Sequence, residues 1–284
     1  SLTSNEIWVR RRKRANHLSL AHPHSTELMS VFAGLLDLQV EIFDRAGRSG
    51  WGILVEEAEG AAPKLRLQRL PRSARNRAFH KLVKQSNSIL TDVLSDVAKK
   101  LEEEVSEREL LLELFLDRES VGGVAERLQC LEPSLTFFPR AFLSPVAQAL
   151  RSTKPIGEFS QADADSQCPY CGWFALCSIL KDGAEIRGQR LLMCSLCSAE
   201  WQVARTGCPS CGEASAEALE FHVSDAWPHV RVEECCSCRK YLKGIDLRQD
   251  GLAEPVVDEL ASVELDLWAA ERGLQKHQTN LFGL

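Results

Sequence analysis

The sequence predicts an α plus small-β protein: a helical N-terminal domain, then two tandem metal-holding knuckle units, then a C-terminal helix. Three observations carry this. Apolar residues recur at helical spacing from residue 26 to 150. Four Cys-x-x-Cys pairs follow within residues 168–238 and use eight of the eleven cysteines. Helical periodicity returns after Glu254.

Residues 1–25 read as a basic N-terminal tail, with five consecutive cations at Arg10–Arg14. A secretory or twin-arginine signal would follow such a block with an apolar stretch. Ala15–Ser25 supplies three histidines and a proline instead. The block therefore reads as a solvated tail, no signal peptide is expected, and the expected location is cytoplasmic. The chain does not begin with Met, so Ser1 need not be the native start.

Residues 26–150 read as the helical domain. Ser25 or Thr26 caps a helix reaching about Asp44, with Leu28, Val31, Phe32, Leu35, Leu38 and Ile42 on one broad face. Gly47, Gly50 and Gly52 break the pattern. A short helix is expected over Gly52–Glu59, and further ones over Ser73–Asn87, Ser88–Ala98, Leu110–Leu116, Ser120–Leu128 and Pro139–Leu150. Leu–Phe stripes at this spacing are core. His80 reads as exposed or satisfied by a neighbour. The chain has no Gly-rich phosphate loop and no nucleophile elbow, so no catalytic residue is assigned.

Residues 151–167 are rich in Pro, Gly, Ser and Asp and read as a linker. The cysteine pairs then run Cys168/Cys171, Cys194/Cys197, Cys208/Cys211 and Cys235/Cys238. Gaps of 22 and 23 residues separate the first pair from the second and the third from the fourth, against 10 between the middle two. The parse is two units of the form C-x2-C-x22/23-C-x2-C, over residues 168–206 and 207–248. Each Cys-x-x-Cys turn can aim two thiolates at one metal, and two turns complete a tetrahedron, as in rubredoxin-like or zinc-ribbon knuckles. Gly172 and Gly212 permit the left-handed backbone such a turn needs, and Pro169 and Pro209 fix φ after the first cysteine. Disulfides would need an oxidising compartment, and a redox Cys-x-x-Cys of the thioredoxin type a βαβ context. Two metal ions per chain are expected. Four cysteine ligands leave no open position, so hydrolysis at the metal is not expected and the protein reads as no enzyme.

Glu200–Arg205 alternates as a strand, and Glu220–Val223 with His229–Glu233 reads as a hairpin. His222 and His229 are imaginable ligands, but the four-cysteine sets are complete without them. Cys236 lies between two ligands and points elsewhere. Cys177 reads as a small buried strand residue, and Cys130 is uninformative. Residues 249–284 form a C-terminal helix and tail. Val256, Leu260, Val263, Leu267 and Trp268 make one stripe, Pro255 suits the first turn and Gly273 the stop.

Composition is that of a globular protein, with 44% hydrophobic and 26% charged residues. No apolar run is long enough for a membrane span. The net charge of −6 argues against bulk nucleic-acid binding, and no nucleic-acid partner is expected. Arg187, Arg190, Arg205, Arg231, Arg239, Lys240 and Lys243, with Trp173 and Trp201, keep a nucleic-acid-binding ribbon as an alternative. An independent electron carrier is another, although a helical domain spanning residues 26–150 exceeds what one needs.

The order CPYCG, LLMCSLCSAEWQVAR, CPSCG, VEECCSCRKYLKGID and ELASVELDLWAAERG resembles the FdhE family of formate dehydrogenase accessory proteins. The detailed likeness runs from Cys168 to about Gly273, and the helical N-terminal region agrees in length and character. The resemblance implies a cytoplasmic maturation factor, chaperone-like, that contacts the catalytic subunit of a molybdenum- or tungsten-dependent formate dehydrogenase before export. It implies metal on the eight cysteines, with iron in rubredoxin-like sites favoured. Spacing alone does not separate iron from zinc.

Overall fold

The computed structural model describes residues 4–49, 51–58, 61–153, 167–183 and 187–284. The chain divides into two units. One comprises Ser1–Trp8, Ser30–Pro155 and Leu281–Gly283, the other Val9–Met29, Ile156–Asn280 and Leu284. Residues 154–166 of the expected linker lie outside the described residues.

The first unit is helical. After α1 (Ser4–Ala21) and α2 (Thr26–Arg48), which both cross the unit boundary, come α3 (Arg72–Ser86), α4 (Asp92–Glu103), α5 (Val105–Asp117), α6 (Gly122–Arg127) and α7 (Glu132–Thr153). Helix α7 packs on α3, α4, α5 and α6 and buries Leu135, Phe137, Phe138, Phe142, Val146 and Leu150 completely. The sequence starts this helix at Pro139, whereas it begins at Glu132 and runs through Pro139 and Pro145. An internal proline removes one N–H and strands the carbonyl four residues back. For Pro145 that carbonyl belongs to Ala141, and the buried amide of Gln39 on α2 donates to it at 3.0 Å. A long-range side chain thus replaces the missing backbone bond.

The helix expected over Gly52–Glu59 does not form. A 3-10 turn at Trp51–Leu54 leads into β1 (Val55–Ala58), which pairs antiparallel with β2 (Ala61–Leu65). So short a segment between glycines does not offset the cost of helix nucleation, and a hairpin satisfies its backbone.

The second unit is built on β3 (Ala175–Lys181), β4 (Gln189–Cys194), β5 (Glu200–Gln202), β6 (Leu219–Ser224), β7 (Trp227–Cys235), β8 (Lys240–Asp246) and β9 (Gln275–Lys276). Among the described residues these form one sheet of order β5-β4-β3-β8-β7-β6, with β9 on β8. Each expected ribbon is an antiparallel meander, β3-β4-β5 or β6-β7-β8. The ribbons are not separate modules, because β3 and β8 pair in parallel from Cys177↔Lys243 to Leu180↔Asp246.

The basic block is not a solvated tail. It lies on α1, where Arg11, Arg14, Ala15 and Leu18 share one buried face. Arg14 Nε meets both Asp258 carboxylate oxygens at 3.0 and 3.1 Å, and Arg11 reaches Glu254 at 3.2 Å. Helical periodicity, not the run of charge, decides which cations turn inward.

The expected C-terminal helix breaks into α8 (Pro255–Ala261) and α9 (Val263–Glu271) at Ser262. The fully buried Lys243 causes the break. Its ammonium donates to the carbonyls of Glu259 and Ser262, closing α8 with a cation at its negative end. The predicted stripe is therefore only partly buried: Leu260 is inside and Leu267 exposed.

Candidate metal centres

The four Cys-x-x-Cys turns share one backbone design. In each, the residue after the second cysteine is left-handed: Gly172 at φ 75°, Ser198 at 53°, Gly212 at 76° and Arg239 at 57°. Its amide donates to the carbonyl of the first cysteine, at 2.7, 3.2, 3.0 and 2.8 Å in the same order. Sequence reading found this only at the glycines. The equivalence of the four pairs was the available signal for Ser198 and Arg239, which take the same conformation at some strain.

The turns bring the predicted ligands together in the predicted pairs. Cys168, Cys171, Cys194 and Cys197 converge with all sulfurs within 4.8 Å of one another, as do Cys208, Cys211, Cys235 and Cys238. Across the first quartet Cys168–Cys197 is 3.6 Å and Cys171–Cys194 is 3.4 Å. Across the second, Cys208–Cys238 is 3.8 Å and Cys211–Cys235 is 3.7 Å. A tetrahedron with metal–sulfur bonds of about 2.3 Å has edges of about 3.8 Å, so both quartets fit one ion each. Backbone amides already point at sulfur: Leu196 N–H donates to Cys194 and Ser210 N–H to Cys208, both at 3.4 Å. The exposed Cys236 belongs to neither quartet, and Cys177 is buried in β3.

The two sites differ in solvation. All four sulfur-bearing residues of the first are buried, while in the second Cys211 is exposed and Cys238 half-buried. In the first, burial pushes the Cys171 and Cys197 thiols well up, while hydrogen bonds from Cys171, Cys194 and Cys197 hold Cys168 far down. In the second, burial drives Cys238 up to about 12, whereas amides of Cys238 and Ser237 hold Cys235 down against its own burial. Metal binding must displace the remaining protons.

A buried carboxylate joins the two ribbons. Glu233 on β7 accepts from Ser178 on β3 at 2.8 Å, Arg190 on β4 at 2.6 Å and Arg231 at 2.8 Å. It crosses β8 at Gly244, where a Cβ would stand 2.5 Å from its Oε1. Burial raises the Glu233 pKa, but Arg190 and Arg231 outweigh it and hold the carboxyl low. His277 sits between knuckles of both sites, with Nδ1 2.5 Å from Ser210 Oγ and its ring edge-on to Phe174 at 5.7 Å. Sequence reading missed both residues, because neither lies in a motif.

Of the two histidines considered as ligands, His229 joins Asp258 at 2.7 Å beside Arg14, and His222 joins Glu234 at 3.0 Å. Of the cations that could have served nucleic acid, Arg190, Arg231, Arg239 and Lys243 are ion-paired within the unit. Trp201 is buried and cannot stack on a base. No helix among the described residues is long and apolar enough to cross a membrane.

Comparison with known proteins agrees with this architecture. Residues 167–205 match the family model described as FdhE, central domain, and residues 193–282 that of FdhE, C-terminal domain. A protein FdhE homolog of Aquifex aeolicus is 40% identical over 116 residues, which is 41% of either chain. One from Haemophilus influenzae is 27% identical over 97% of this chain and 88% of its own. The crystal structure of the FdhE protein from Pseudomonas aeruginosa superposes with a TM-score of 0.70 at 25% identity, covering 99% of this chain and 97% of that one. With its two cysteine quartets in place, the chain is similar to FdhE proteins over nearly its whole length, and to the FdhE family models over residues 167–282.

Proposed function

We propose that the protein is a formate dehydrogenase accessory factor that binds the catalytic subunit in the cytoplasm and acts there as a maturation chaperone. The likeness to FdhE proteins supports the accessory role. The observation that carries the rest is the pair of closed cysteine quartets set in one continuous sheet. Cys168, Cys171, Cys194 and Cys197 hold one ion and Cys208, Cys211, Cys235 and Cys238 the other. A closed coordination shell leaves no position for substrate, so the chemistry belongs to the client. When bound, iron supplies a one-electron couple and zinc only rigidity. Cys211 brings one sulfur of the second site to the surface, so that site is the one a client meets.

Two measurements test this. Affinity capture with the tagged full chain from formate-grown cells should retrieve the formate dehydrogenase catalytic subunit. Its absence under crosslinking conditions would remove the client reading. Anaerobic purification followed by metal analysis should give two ions per chain. Reversible red ferric-thiolate absorption assigns iron and the redox role, whereas two colourless zinc ions assign a structural one.

A further inference from the structure

Among the described residues, three groups of His, Cys, Asp or Glu have donor atoms converging within 4.8 Å. Two are the cysteine quartets. The third is Glu220, His222 and Glu234, on the face of the β6–β7 ladder beside the second quartet. Glu220 and Glu234 are direct cross-strand partners, a like-charge pairing that destabilises a ladder, and Arg239 on Glu234 offsets one of the two charges. His222 Nε2 faces both carboxylates, 3.0 Å from Glu234 Oε2 and 3.7 Å from Glu220 Oε2. Ligands at about 2.1 Å from one ion stand about 3.0 Å apart at right angles and about 3.6 Å apart at 120°.

The surroundings hold this arrangement. Arg239 pairs with Glu234 Oε1, which fixes the carboxylate and turns Oε2 toward His222. The Trp268 ring lies 4.8 Å from the imidazole, and the Arg272 guanidinium lies over that indole at 4.2 Å. Glu220 is exposed and Glu234 buried, so the three donors form a half-shell open to solvent. The exposed Cys236 lies against Glu220.

We propose that Glu220, His222 and Glu234 form a third, open cation site that takes a divalent transition-metal ion. One imidazole with two carboxylates suits zinc, cobalt, iron or manganese rather than calcium or magnesium. Unlike the quartets, this half-shell leaves positions for water or an outside ligand. The proposal stands independently of the accessory reading.

The test titrates Co²⁺ into the full chain whose quartets already hold zinc. Bound metal is counted by equilibrium dialysis, and the visible spectrum is recorded. A third equivalent is expected, with weak d–d bands and no new sulfur-to-metal charge transfer. His222→Ala and Glu220→Gln should each weaken it at least about tenfold while both zinc ions stay bound. Glu220 is exposed, so its variant tests the site even where His222→Ala fails to fold. No third equivalent up to about 1 mM, or one that neither variant weakens, overturns the proposal. Charge-transfer absorption from cobalt displacing zinc, with no third ion, also overturns it.

Discussion

Arg14→Ala is expected to destabilise the sheet-containing unit by about 3 kcal/mol. Asp258 is fully buried and receives Arg14 Nε on both oxygens, while Arg14 also reaches Asp250 at 2.7 Å. Asp258 and Asp250 hold the Arg14 pKa above its ordinary value against the burial that lowers it. Removing one partner of a buried pair costs about 3–5 kcal/mol, because the other charge is left uncompensated. Asp258 keeps His229 and the Glu254 amide, both at 2.7 Å, which places the loss at the lower end. With a urea m-value of about 1–3 kcal/mol/M, the unfolding midpoint should fall by about 1 M or more. The assay is urea unfolding of the metal-loaded full chain, with the exposed Lys13→Ala as control. Arg14→Ala combined with Asp258→Asn should recover part of the loss, as a coupled pair requires. A midpoint for Arg14→Ala equal to that of Lys13→Ala would refute the reasoning and return residues 1–25 to a solvated tail.

Three further outcomes follow from the sites. A chelator should strip the two ions in two phases, the second quartet first because Cys211 is exposed, and Cys211→Ser should abolish only the fast phase. Gly212→Ala should cost about 1–2 kcal/mol through its φ of 76° alone, since a Cβ there meets nothing within 4 Å, and should speed metal loss from the second site only, read by the same chelator assay. Burial, aided by Lys240, lowers the His277 pKa to about 4, below the unfolded value of about 6.5. The unfolded chain therefore binds the proton more readily. His277 contributes stability above pH 6.5, and about 3 kcal/mol is lost as pH falls toward 4. Urea unfolding of His277→Gln across that range should lack this slope, and an unchanged slope assigns the acid lability elsewhere.

The sequence by itself determined the eight cysteines, their grouping into two quartets and the strands between them, because metal-ligand geometry is local. A Cys-x-x-Cys turn closes over four residues, and a connection of 22 or 23 residues has room for one hairpin. Helices of the first unit were legible for the same reason, although of the six residues expected on the α2 face only Phe32 and Leu35 are fully buried, and Met29, Leu36, Gln39 and Phe43 complete it. Tertiary structure alone decided three other matters. The parallel pairing of β3 with β8 joins segments more than 60 residues apart and leaves no periodic trace. Arg11 and Arg14 become buried partners only because Glu254 and Asp258, over 240 residues away, face them. The break at Ser262 and the passage of α7 through Pro145 depend on Lys243 and Gln39, single side chains that satisfy distant carbonyls. Local rules see a cation run, a continuous stripe and a helix-breaking proline. The fold supplies partners that change what each of them does, since an unpaired polar group is costly only once it is buried.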